Sequence, residues 1–89
     1  MENRLVDELR ELIFEACDLV DISHEELRPE DYLLGPESPL GLDSVDALEI
    51  VIAVQNRYGV RIDNRELARE VLVSLRTLSE FLERKGVGS

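Results

Sequence analysis

Eighty-nine residues, 44% of them apolar but only 4% aromatic, allow one domain, expected to span residues 1–89, with a core packed mostly by Leu, Val and Ile. The formal charge of −10 falls entirely on residues 1–43, with 13 acidic and 3 basic side chains against 7 of each in residues 44–89; nucleic acid is excluded as a partner, and the acidic half either steers basic partners or simply keeps the chain soluble. No apolar run approaches the ~18 residues of a membrane span, "MENRLVDELREL" is a charged amphipathic pattern unlike a signal peptide, and Cys17 has no second cysteine for a disulfide or metal site, so a soluble cytoplasmic monomer away from membranes is expected.

Residues 3–20 place Leu5, Leu9, Leu12, Ile13, Ala16 and Val20 at helical spacing, with Cys17 on the margin of the stripe as a small buried thiol. Phe14 falls near the opposite face, either exposed or in contact with the long loop after the helix. From about Asp21 to Asp43 the three prolines, Pro29, Pro36 and Pro39, with Gly35 and Gly41, rule out one continuous helix. The apolar residues Ile22, Leu27, Tyr32, Leu33, Leu34 and Leu40 predict that this long loop packs over the core, structured in part.

A second helix is expected from Ser44 to Tyr58, capped by Asp43 or Ser44 and stopped by Gly59 in a left-handed turn. "VRI" then crosses to a short third helix, where Asp63 and Glu66 have the spacing of a capping box. The last helix, about Leu75 to Lys85, sets Leu75, Leu78 and Leu82 on one face, and Gly86 stops it. The fold class is therefore all-α: a small four-helix bundle with a short third helix and a long loop between helices 1 and 2.

On a helical wheel Leu48, Val51, Val54 and Tyr58 of the second helix point into the bundle. Asp46, Glu49, Ala53, Asn56 and Arg57 line the other side, with Val45 and Ile52 on one border. Ser44 stands at the helix mouth, where free backbone N–H groups and the positive end of the dipole favour a phosphate.

At these residues a family resemblance enters. "LGLDSVDALEIVIAVQNRYGVRI" resembles the attachment segment of acyl carrier proteins, an Asp-Ser-Leu pattern followed by an amphipathic recognition helix. "VDISHEEL" is similar to the end of that family's first helix and the turn after it, "DNRELAREV" to its short third helix, and "SLRTLSEFL" to its last. The resemblance implies that Ser44, with Asp43 as its motif neighbour, receives 4′-phosphopantetheine from coenzyme A through a phosphopantetheinyl transferase. The arm's thiol would then carry an acyl chain as a thioester between acyl-transferring, condensing or acyl-ligase enzymes in fatty-acid, polyketide or related lipid biosynthesis. It also implies that Val45, Asp46, Glu49, Ile52, Ala53, Asn56 and Arg57 meet those partners, and that the chain itself is no enzyme.

Three departures from the pattern point to a specialised carrier with a dedicated pathway: Val45 in place of leucine, "LLGPESP" lengthening the loop before the serine, and Gln55, Asn56 and Arg57 where acidic residues are usual.

The other readings are weaker. A serine hydrolase needs a base and an elbow, but His24 is the sole histidine, read as an exposed turn residue, and Gly-x-Ser-x-Gly is absent. "DISHEELRPED" lacks the glycine and ligand order of a calcium loop. The serious alternative is a helical protein–protein adaptor in which Ser44 is only an N-cap.

Overall fold

Residues 4–20 and 22–87 are described by a computed structural model. Among them four α-helices follow in order: α1 (Arg4–Ala16), α2 (Ser44–Tyr58), α3 (Arg65–Val71) and α4 (Leu75–Arg84), with one 3-10 turn at His24–Glu26 between α1 and α2. The expected all-α bundle is borne out. α1 packs on both α2 and α4, and α3 packs on α4.

The core face of α1 is Leu5, Val6, Leu9 and Ile13, joined by Phe14, which lies off the periodic stripe. Phe14 is buried, its ring meeting that of His24 at 4.3 Å between centroids. Of the two sequence readings for Phe14, the loop contact is therefore the one realised. His24 itself is exposed, as expected.

The first helix stops four residues before the expected end at residue 20. Asp18 takes φ 52°, the Asp18 N–H reaches the Glu15 carbonyl at 3.2 Å and the Leu19 N–H reaches the Phe14 carbonyl at 2.9 Å. These bonds satisfy the last carbonyls of the helix and turn the chain away. Val20, expected on the core stripe, is consequently 80% exposed.

The long segment before α2 is held in place by hydrogen bonds at several points. Leu33 donates its N–H to the Val73 carbonyl (3.0 Å), Gly35 to the Leu42 carbonyl (2.9 Å) and Arg76 to the Pro29 carbonyl (2.9 Å). Leu27, Leu33, Leu40 and Leu42 are buried, which confirms the packed loop, although Tyr32 is half exposed. Ordering so many residues is entropically costly, and burial of these leucines is the main offset.

α2 matches its expected bounds, but its wheel is rotated. Ile50 and Val54 are fully buried, with Ala47, Val51 and Tyr58 packed against the core, whereas Leu48 is 59% exposed. Both 47–50–51–54–58 and 48–51–54–58 fit helical spacing, so spacing does not separate them; packing selects the side that carries Ile50 and leaves Leu48 outside. Gly59 ends the helix at φ 68°, in the left-handed region where a side chain is disfavoured.

The capping box expected from Asp63 and Glu66 is corrected by one position. Asn64 is the N-cap of α3, its Oδ1 accepting from the Leu67 N–H at 2.7 Å, while Asp63 pairs with Arg61 at 3.3 Å. α4 is capped by Ser74 in a reciprocal box with Thr77 and buries Leu75, Leu78, Phe81 and Leu82.

Candidate functional site

Asp43 decides how α2 begins. Its Oδ1 accepts from the Val45 N–H at 3.0 Å and the Asp46 N–H at 3.2 Å, and Asp46 Oδ2 accepts from the Asp43 N–H at 3.2 Å. Asp43 is thus the N-cap, and Ser44 is the first residue of the helix. The Ser44 side chain is exposed, and its hydroxyl makes no hydrogen bond among the described residues. The expectation of free N–H groups awaiting a phosphate needs correction, because the capping box already occupies those of Val45 and Asp46. What the site offers is an uncommitted hydroxyl at a fixed place, without a preformed anion cradle.

That place is fixed from the other side as well. Leu42 is buried, forms a bridge with Leu34 and accepts from Gly35, so the backbone enters Ser44 from an anchored residue. Leu42 inside, Ser44 outside and Ile50 inside give a hydroxyl that can be modified without disturbing the core.

The expected partner-facing residues divide. Val45 (66% exposed) and Ile52 (45%) project outward with Glu49 and Asn56, and Leu48 joins them at the same helical spacing. Sequence reasoning missed Leu48, although its i+3 relation to Val45 and i−4 relation to Ile52 carried the signal. Asp46 is half-buried with its carboxylate committed to the cap, and Ala53 is half-buried. Arg57 is exposed but lies 3.8 Å from Glu8 of α1, so its charge is partly balanced within the chain. Glu8 also accepts from the Tyr58 hydroxyl at 3.2 Å. Burial, with Glu8's charge and hydrogen bond, pushes that phenol up to about 12, and Arg57 works in the opposite direction. Gln55 likewise turns inward, its Oε1 accepting from the Ile62 N–H at 3.0 Å.

Cys17 is half-buried, its Sγ 3.9 Å from the Asp46 carbonyl. Burial, and then the charges of Asp46 and Glu49, push the thiol from 9.0 up to about 11. The folded chain keeps this proton where the unfolded chain releases it. The resulting stability is fully present below pH 9.0 and is lost as pH rises to about 11. At pH 8 the thiolate fraction is about 100-fold below that of an unshifted thiol, so alkylation of Cys17 should be slower by about that factor. A time course with iodoacetamide on the unmodified chain checks this; labelling as fast as a free small thiol would contradict the burial.

No metal-binding group of His, Cys, Asp and Glu is present among the described residues, and no described helix is long and apolar enough to cross a membrane.

Three comparisons bear on this arrangement. The family model described as "Phosphopantetheine attachment site" matches residues 7–83. The chain is 32% identical over 81 residues to the acyl carrier protein of Streptomyces coelicolor, covering 91% of this chain and 80% of that one. It is 31% identical over 65 residues to the acyl carrier protein AcpXL of Rhizobium meliloti, covering 73% of this chain and 62% of that protein. No solved structure matches. The chain therefore belongs to the acyl carrier proteins, carriers rather than catalysts, whose phosphopantetheine-binding domain holds the 4′-phosphopantetheine covalently.

Proposed function

We propose that residues 1–89 form a single carrier domain and that Ser44 is its attachment residue. The observation that carries this reading is the division of labour at the start of α2: Asp43 performs the capping, which leaves the exposed Ser44 hydroxyl uncommitted. The adaptor reading needed Ser44 as the cap, and that role is already filled. When bound, the arm supplies a thiol on which an acyl chain travels as a thioester. Asp43 and Asp46 accept each other's backbone N–H groups, so the base that takes the Ser44 proton is expected from the transferase.

The partners are then a phosphopantetheinyl transferase and acyl-transferring, condensing or ligase enzymes, in fatty-acid, polyketide or related lipid biosynthesis, with the carrier acting as a cytoplasmic monomer. Val45, Leu48 and Ile52 supply an apolar strip for docking, bordered by Glu49 and Asn56. A dedicated pathway is supported by Asn56, which offers partners an uncharged side chain. Gln55 and Arg57 contribute less to that argument, because one bonds Ile62 and the other pairs with Glu8.

The test is acylation. Loaded protein, given an acyl-activating ligase and a fatty acid, should gain one acyl mass that neutral hydroxylamine releases, as it cleaves thioesters. Loaded protein whose acyl mass resists hydroxylamine, or never appears with several broad-range ligases, would contradict the carrier role.

A further inference from the structure

Where α1 ends, the surface opens into a groove of about 510 Å³ that the attachment site does not use. Its apolar lining is Leu19 and the exposed Val20, with the largely covered Phe14 ring beneath. His24 lines it with its ring against Phe14, and Glu11, Glu15 and Asp18 supply an acidic rim. None of these three carboxylates makes an ion pair among the described residues, and the last turn of α1 holds no basic residue.

Carboxylates at a helix C-terminus face the negative end of its dipole, so nothing there offsets the rim. An apolar lining beside an uncompensated acidic rim is complementary to an apolar side chain flanked by lysine or arginine. Anionic lipid and nucleic acid are repelled by the same rim. The location matters too: Cys17, next to Asp18, lies 3.9 Å from the Asp46 carbonyl in the first turn of α2. Asp18, which lines the groove, therefore follows directly on a residue that touches the start of α2, the helix that presents Ser44.

We propose that this groove is a second docking surface, which takes a basic amphipathic segment of a partner protein with an apolar side chain against Leu19 and Val20 and a cation over Glu15 and Asp18. The inference rests on the carrier reading only for the identity of the partner. Its test uses the unmodified chain and so fails or succeeds separately.

The probe is a short helical peptide with arginines on both sides of a leucine, titrated into isotopically labelled protein at low salt. Amide shifts should concentrate at Phe14, Asp18, Leu19, Val20 and His24. Glu15→Gln with Asp18→Asn should weaken the apparent affinity about tenfold, asparagine being tolerated in the left-handed backbone that Asp18 occupies. The same charge change placed on α3, Glu66→Gln with Glu70→Gln, should alter affinity less than about twofold, because distant exposed charges are screened. Replacing the leucine of the peptide by glycine should also weaken binding. Equal losses in the two double variants, or no loss from the glycine peptide, would reduce the effect to general charge attraction and overturn the proposal. Shifts at the same amides from magnesium chloride, with none from the peptide, would overturn it in favour of a cation site.

Discussion

Ser44→Ala is expected to abolish attachment of the phosphopantetheine arm while leaving the fold in place. The hydroxyl is the bond-forming group in the proposed reaction, and no other described residue depends on it for a hydrogen bond. An exposed position of this kind changes stability by no more than about 0.5 kcal/mol on substitution. Asp43→Ala should do the reverse: lose the bonds to Val45 and Asp46, cost about 1 kcal/mol, and still accept the arm. Intact mass after loading and thermal unfolding, run on both variants, read the two effects separately. An alanine variant at residue 44 that still gained the arm would put the attachment elsewhere.

The second large effect separates two neighbours on α2. Ile50 is fully buried and Leu48 is 59% exposed. Ile50→Ala should therefore cost about 2–5 kcal/mol, a large share of the stability of so small a domain. Leu48→Glu should leave unfolding within about 0.5 kcal/mol of wild type, since it removes no core contact. Its cost should appear at the partner, where losing a central apolar anchor is worth about 2 kcal/mol, or roughly 30-fold in loading efficiency. Glu49→Lys should act more weakly, through association rate, and its effect should shrink at high salt. Loss of fold in Leu48→Glu would restore the original wheel and remove Leu48 from the docking strip.

Legibility in the sequence depends on whether a signal is local. The start and stop of α2 were legible because Asp43 and Gly59 are residues with strong positional chemistry. The end of α1 was not, because Asp18 performs there the left-handed turn that glycine performs at Gly86, and aspartate rarely signals it. The exchange of Leu48 for Ile50 on the buried face arose because α2 is apolar over much of its circumference, which blurs a wheel until a partner helix chooses a side. The division of roles between Asp43 and Ser44 was left open by the sequence, since either residue type can cap. The bond of Gln55 to Ile62 and the pairing of Arg57 with Glu8 depend on contacts across 7 and 49 positions, which no local pattern reveals.

The most direct test of Ser44 as the carrier's attachment residue is mass spectrometry of the wild-type chain after incubation with coenzyme A and a broad-range phosphopantetheinyl transferase. The expected result is a gain of one phosphopantetheine per chain, a fragment-ion series that assigns the added mass to Ser44, and a new thiol that alkylates far faster at pH 8 than the half-buried Cys17. No gain of mass with a transferase active on another carrier, or an added mass on any residue other than Ser44, would contradict it.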